Sequence, residues 1–174
     1  MQQMSRRNQH FTDSVIRRMT RVSLSCGAIN LAQGFPDFDP PKAMTDRLAE
    51  LSPIGPHQYP ITMGAPNFRQ ALARKCGRFM GRTLDPETDM VVTIGSTEAM
   101  VDTLFALTNP GDKVVMFSPY FENYRAQTLM VDCEPVFIPL VPPTFQFDSE
   151  QLEDAFRQHP KAILICNPSN PSGK

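Results

Sequence analysis

Two Asn-Pro pairs, at Asn167 and Asn170, follow an apolar run close to the last residue of this 174-residue chain. The run, residues 161–166 (KAILIC), is typical of a buried strand, and ligands of open α/β sheets gather beyond the carboxyl ends of such strands. Proline restricts the residue before it, so the loop at 167–173 should be stiff. An amide on such a loop can hydrogen-bond a ring hydroxyl or phenolate. A proline-rich turn is the alternative, but repeated Asn-Pro after a strand favours a binding loop.

A second candidate is the segment 95–99 (GSTEA), between the apolar run 90–94 and a helix predicted to 107. The first N–H groups of a helix have no intrahelical acceptor, and the helix dipole favours an anion there. With the hydroxyls of Ser96 and Thr97, this segment can hold a phosphate. Taken alone, the pattern more often indicates only a capped turn.

Aromatic residues form the third and fourth candidates. Residues 119–124 (PYFENY) follow another apolar run, and their rings could stack on a flat heterocycle or simply pack in the core. Tyr59 lies in the loop 58–64 (QYPITMG), ahead of a helix that carries Arg69. An isolated tyrosine in a loop would ordinarily be a surface or interface residue.

The elements that must position these residues follow from apolar runs that alternate with helices of about ten residues. Runs at 90–94, 113–117, 135–140 and 161–166 predict strands of an α/β domain with a mostly parallel sheet sandwiched by helices. Three further helices are predicted. One runs from a cap at Asp39 to residue 51, one runs from residue 66 to 81, and one follows a capping box formed by Asp148 and Gln151. Residues 28–33 should be extended.

The domain division expected from this pattern is an N-terminal arm and small-domain portion at residues 1–50, followed by the large α/β domain at 51–174. The last strand and loop have no following helix, which would leave a sheet edge uncovered. The domain is therefore expected to be incomplete at its C-terminus.

Composition excludes several classes of function. A net charge of −1 gives no electrostatic reason to expect binding of nucleic acid, and no apolar run is long enough to cross a bilayer. The four cysteines are far apart and the three histidines isolated, which favours reduced thiols in a cytoplasmic protein and no metal centre. Five arginines before residue 22 suggest either a transit peptide or an amphipathic helix. Apolar residues at helical spacing up to Val22, with Gly27 beyond, favour the helix.

Taken in order, these motifs resemble the class I/II aminotransferases of the fold-type-I, pyridoxal-phosphate (PLP)-dependent family. The segments are 30–37 (NLAQGFPD), Tyr59 with Gly64 and Arg69, 95–99, 109–112 (NPGD), 119–124 and 167–173. The opening segment is most similar to the branch with kynurenine, glutamine and methionine aminotransferases. The resemblance covers residues 29–173 and implies the N-terminal portion of the PLP-dependent transferase fold.

The resemblance also implies roles for individual residues. Ser96 and Thr97 match the positions that hold the cofactor phosphate, and Phe121 matches the aromatic that stacks on the pyridine ring. Asn170 matches the asparagine bonded to the phenolic oxygen of the ring. For the two remaining positions, Gly34 matches the glycine near the substrate carboxylate and Tyr59 the tyrosine that reaches the phosphate of a neighbouring subunit. A homodimer with shared active sites is therefore expected.

The lysine that forms the Schiff base in this family has no counterpart in these 174 residues, since Lys174 directly follows the Asn-Pro loop. No catalytic residue is therefore assigned within the chain. The implied activity is transfer of an amino group from an amino acid to a 2-oxo acid, by a longer protein of which this is a piece or by a split enzyme. A PLP-dependent C–S lyase and a non-catalytic aminotransferase-like module are the alternatives.

Overall fold

A computed structural model describes residues 4–174 as two compact units. One unit comprises the chain up to Val15 together with Ile94–Lys174, and the other is Ile16–Thr93. The domain division expected at residue 50 stays a prediction. Within residues 4–174, no helix combines the length and apolar character that crossing a membrane would require.

The first unit is built on a three-stranded parallel sheet. Its strands are β1 (Lys113–Ser118), β2 (Glu134–Pro139) and β3 (Ala162–Leu164), in the order β2-β1-β3. The central strand pairs in parallel on both sides, with Val115 opposite Val136 and Ile163. The parallel α/β arrangement predicted from the apolar runs is confirmed.

Helices cover both faces of this sheet. They are α4 (Gly95–Leu107), α5 (Asn123–Met130) and α6 (Ser149–Arg157). Successive side chains of a strand point to opposite faces, so Val114 and Met116 pack with Leu104 of α4, whereas Val115 packs with Ala155 of α6. The central strand therefore buries both of its faces, which explains its continuous apolar sequence.

The second unit contains three helices: α1 (Val15–Cys26), which starts at the boundary, α2 (Lys42–Leu51) and α3 (Pro66–Met80). The predicted end of α3 is confirmed at Gly81, whose φ of 66° is one that glycine adopts without strain. The amphipathic helix near the N-terminus is confirmed from Val15 onward, preceded by a short 3₁₀ helix at Arg6–His10. Residues 1–3 lie outside the described chain.

Arg69 of α3 is fully buried and ties together three parts of this unit. Its Nε donates to the carbonyl of Gly64 at 3.0 Å, Nη1 donates to the carbonyl of Pro86, and Nη2 lies 3.1 Å from the Glu87 carboxylate. Gly64 closes the loop that carries Tyr59. Arg69 therefore holds the end of that loop against the segment that follows α3.

Gly64 is itself packed closely against residues downstream. It has φ of 101°, and an added Cβ would lie 2.4 Å from Cγ2 of Val92. Two main-chain hydrogen bonds keep Gly64 and Val92 in contact. The Gly64 N–H donates to the Ile61 carbonyl at 2.8 Å, and the Val92 N–H donates to the Met63 carbonyl at 3.1 Å. Only a residue without a side chain fits this conformation and this distance together.

Two local predictions, the strand at 90–94 and the cap at Asp39, are wrong. Residues 90–94 do not form a strand, because the main-chain bond of Val92 to Met63 is not continued into a ladder. The extended segment expected at 28–33 stays a prediction, since residues 28–31 have no regular structure and only residues 32–33 form a bend. Asp39 does not cap α2, because extended Pro41 occupies the N-cap position and the helix begins only at Lys42. No side-chain hydrogen bond caps the start of α2.

The predicted capping box at α6 is half confirmed. The Asp148 carboxylate accepts from the Glu150 N–H at 2.9 Å, as an N-cap should. The Gln151 amide bonds to the Asp148 carboxylate at 3.4 Å. A full capping box would have that side chain accept from the Asp148 backbone N–H.

Candidate active site

A cavity of about 290 Å³ lies where the three parallel strands end. Its apolar wall comes from the ends of β1 and β3 and from the loops after β1 and β2, and includes Phe117, Pro119, Tyr120, Leu140 and Phe147. Its polar wall comes from the loop after β3, where Cys166, Asn167, Ser169 and Asn170 face it together with Lys174. This is the edge at which open parallel sheets bind ligands.

The loop after β3 presents Asn170 to this cavity, as its position in the Asn-Pro repeat predicts. Main-chain bonds close the loop on itself, from Ser169 N–H to Lys174 O and from Gly173 N–H to Ser169 O, both at 2.7 Å. The thiol of Cys166 donates to the carbonyl of Pro168 at 3.4 Å. The Asn170 side chain is exposed to solvent, so its amide is available to a ligand.

The aromatic residues after β1 divide into two pairs. Tyr120 stacks on Phe137 of β2, with ring centroids 5.1 Å apart. Phe121 packs edge-on against Tyr124, with centroids 5.7 Å apart and planes at 77°. Tyr120 and Tyr124 line the cavity, and Phe121 is half-buried beside Tyr124. Stacking of Phe121 on a ligand ring stays a prediction.

Tyr124 and Cys166 share a hydrogen bond at the cavity wall. The phenolic O–H donates to the sulfur, which raises the pKa of Tyr124 to about 12 because the bond favours the neutral phenol. The same bond, helped by the backbone N–H of Asn170, lowers the pKa of the Cys166 thiol, although burial opposes the change. The Cys166 thiol therefore loses its proton at a lower pH than an ordinary cysteine, because its pKa is lowered.

We expect Tyr124→Phe to raise the pKa of Cys166, because the thiolate loses its main hydrogen-bond donor. The pH profile of Cys166 alkylation should then move to higher pH in a protein with Cys26 and Cys76 replaced by serine. Tyr120→Phe, also in the cavity wall, is the matched control and should leave the profile unchanged. Coincident profiles for Tyr124→Phe and wild type would show that the hydroxyl does not bond the sulfur.

The start of α4 has the composition expected of an anion site. The N-cap position is Ile94, whose N–H donates to the Glu98 carboxylate. Ser96 and Thr97 therefore lie within the first turn and do not cap the helix. Their N–H groups have no intrahelical acceptor, and both side chains are exposed. Glu98 completes the first turn but brings a negative charge, which opposes the dipole's attraction for an anion.

Two amides of α5 brace this turn, and the sequence analysis missed both. Nδ2 of Asn123 donates to Oγ1 of Thr97 at 3.2 Å, and Nε2 of Gln127 donates to the Thr97 carbonyl at 2.7 Å. Asn123 and Gln127 are four residues apart, so they share one face of the helix. That spacing of two amides beside the Tyr124 ring is the signal that could have identified them.

Tyr59 and Gly34 belong to the other unit, Ile16–Thr93. The Tyr59 side chain is 98% exposed, and an added Cβ at Gly34 would meet no atom within 4 Å. Both residues are thus accessible. Their contacts with a neighbouring subunit's phosphate and with a substrate carboxylate stay predictions.

Known proteins resemble this chain over nearly all of its length. The sequence profile described as "Aminotransferase class I and II" matches residues 27–174. A probable N-succinyldiaminopimelate aminotransferase of Mycobacterium tuberculosis is 34% identical over 165 residues, which is 94% of this chain and 42% of that protein. The methionine aminotransferase of Escherichia coli is 32% identical over 91% of this chain and 41% of its own length.

Solved structures agree with the sequence matches. The M. tuberculosis enzyme superposes with a TM-score of 0.87 over 97% of this chain and 44% of its own, at 33% identity. An E. coli protein with methionine aminotransferase function superposes with a TM-score of 0.90 over 99% and 45%, at 30% identity. The chain spans less than half the length of these relatives. On the residues it shares with them, the chain belongs to the class I and II aminotransferases.

Proposed function

We propose that the complete protein is a PLP-dependent aminotransferase that moves an amino group from an amino acid to a 2-oxo acid. The observation that carries the proposal is the cavity at the carboxyl ends of the strands, where Asn170 faces an aromatic wall. The family membership supports the same reaction.

The donor set fits PLP, a flat pyridine ring with a phosphate dianion and a phenolic oxygen. The first turn of α4 offers N–H groups and the hydroxyls of Ser96 and Thr97 to the dianion. The aromatic residues after β1 offer a surface for the ring, and the Asn170 amide offers a donor for the phenolic oxygen. This chain thus has a suitable donor for each of these acceptor groups of the cofactor.

When bound, PLP supplies an electron sink for the pair left as the Cα–H bond of the amino acid breaks. In our proposal Ser96 and Thr97 anchor the phosphate, Phe121 covers one face of the ring, and Asn170 fixes its tilt. Gly34 leaves room for the substrate carboxylate, and Tyr59 reaches the phosphate of a second subunit in a homodimer.

The Schiff-base lysine is proposed to lie outside residues 1–174, either further along the same polypeptide or on a second one. Lys174 lines the cavity, but its position after the Asn-Pro loop does not match that lysine. The relatives are named for N-succinyldiaminopimelate, methionine and kynurenine, which are different amino acids. The proposal is accordingly limited to an amino acid donor and a 2-oxo acid acceptor.

We expect the purified complete protein to bind PLP and to form a new amino acid from a 2-oxo acid and an amino donor. In Asn170→Ala, the pH at which the visible absorbance of the bound cofactor changes should rise by about one unit, since the donor to the phenolate is lost. Ser169→Ala, in the same loop, is the matched control. Both variants can be titrated by absorbance without any turnover measurement.

Three results would contradict this assignment in different ways. Identical titrations of Asn170→Ala and wild type would remove Asn170 from the site. Release of pyruvate and ammonia from an amino acid, with no amino group passed to a 2-oxo acid, would identify a lyase. Absence of PLP binding by the complete wild-type protein would refute the proposed function as a whole.

A further inference from the structure

Gln127 is a buried polar side chain that bonds to the first turn of α4. It is only 4% exposed, and its Nε2 donates to the carbonyl of Thr97 at 2.7 Å. Burial of an amide costs free energy unless the amide is hydrogen-bonded. The bond crosses from α5 to the first turn of α4, so Gln127 fixes the position of that turn.

Asn123 acts on the Thr97 side chain. Its Nδ2 donates to Oγ1 at 3.2 Å, so that the hydroxyl accepts one hydrogen bond from α5. A threonine hydroxyl has one proton to donate and two lone pairs. Because Asn123 occupies one lone pair of the hydroxyl, the hydroxyl proton can be donated to another acceptor, such as an anion.

We propose that Gln127 and Asn123 are positioning residues for the phosphate of the cofactor, acting through Thr97. The inference rests on the proposed function, because it takes Thr97 as a phosphate ligand. Gln127 places the backbone of the turn, and Asn123 orients the Thr97 hydroxyl. Neither residue needs to touch the cofactor.

The position of these amides on α5 explains why they can act together. The helix also carries Tyr124, which contacts Phe121 and bonds to Cys166 beside Asn170. One side of α5 therefore braces the turn with Thr97, and Tyr124 braces the polar wall of the cavity. A shift of this helix would displace groups proposed for both ends of the cofactor.

The test compares PLP with pyridoxal, which lacks the phosphate, on the apo form of the complete protein. Gln127→Met keeps the length of the side chain but has no donor for the Thr97 carbonyl. We expect its dissociation constant for PLP to rise by about tenfold, which corresponds to roughly 1.4 kcal/mol. Pyridoxal affinity should change much less. Gln70→Met, an exposed glutamine of α3, is the matched control and should alter neither.

Asn123 provides a second readout that does not depend on how Gln127→Met folds. Asn123→Ala should weaken PLP binding in the wild-type background and have little further effect with Thr97→Val, because the hydroxyl it orients is then gone. Equal losses in both backgrounds would refute the role of Asn123.

The role of Gln127 would be refuted if the ratio of PLP affinity to pyridoxal affinity were the same in Gln127→Met as in the wild type, even if the melting temperature fell. A fall in both affinities by the same factor has the same meaning, because it indicates general loss of structure. These outcomes differ from failure of the proposed function, in which the wild-type protein itself would bind no PLP.

Discussion

Replacing Arg69 by methionine should lower the free energy of unfolding by about 2–5 kcal/mol, which makes it one of the two most damaging single changes we expect. The methionine can fill part of the space but donates no hydrogen bonds. The carbonyls of Gly64 and Pro86 would lose their donor, and an unsatisfied buried acceptor costs about 1–3 kcal/mol. The ion pair adds little, because Glu87 is 62% exposed and is hydrated when the pair breaks.

Urea unfolding followed by circular dichroism measures this loss. Arg74→Met is the matched control, because Arg74 is an exposed arginine of the same helix, and its effect should stay within about 0.5 kcal/mol. Arg69→Lys should fall between them, since an ammonium lacks the planar fork that reaches several acceptors. Equal midpoints for Arg69→Met and Arg74→Met would show that the buried guanidinium does not stabilise the fold.

Gly64→Ala is expected to destabilise the protein by about 2–5 kcal/mol, as the sum of two separate penalties. The new methyl group would lie 2.4 Å from Cγ2 and 2.6 Å from Cβ of Val92, so one segment must move. The φ of 101° adds backbone strain for any residue with a Cβ. Thermal unfolding should show a lower midpoint than wild type.

The two penalties can be separated by a second substitution. Val92→Ala removes the closer methyl group, so Gly64→Ala should cost less in that background than in the wild type. The rescue should be partial, because Cβ of Val92 and the backbone strain remain. Gly34→Ala is the control, since a Cβ there meets no atom within 4 Å. A complete rescue would assign the whole cost to the methyl contact.

The sheet could be predicted from sequence because each of its strands lies in or beside an apolar run, and the central strand is covered on both faces. Residues 113–117 and 135–140 lie within one residue of β1 and β2, and α4 begins at the Gly-Ser-Thr segment itself. These elements depend on local composition together with burial, and both are visible in the sequence. The same reasoning placed the Asn-Pro loop, and hence Asn170, at the ligand edge of the sheet.

Residues 90–94 show where this reasoning fails. They have the same apolar and β-branched character as the true strands, but a strand also needs a neighbour with which to pair. That neighbour is a property of the tertiary fold. For the same reason the bonds from Gln127 to Thr97 and from Tyr124 to Cys166 could not be read from the sequence, because they join residues 30 and about 40 positions apart.

The strand order β2-β1-β3 has a consequence for synthesis of the protein. The central strand is translated first, and its partner Ala162 follows Val114 by about 50 residues, which takes roughly 2–10 s at typical elongation rates. One edge of the most buried strand is therefore unpaired until the ribosome has passed β3. Slower codons between residues 118 and 162 would lengthen this interval, and with it the exposure of the nascent chain to aggregation and to chaperones.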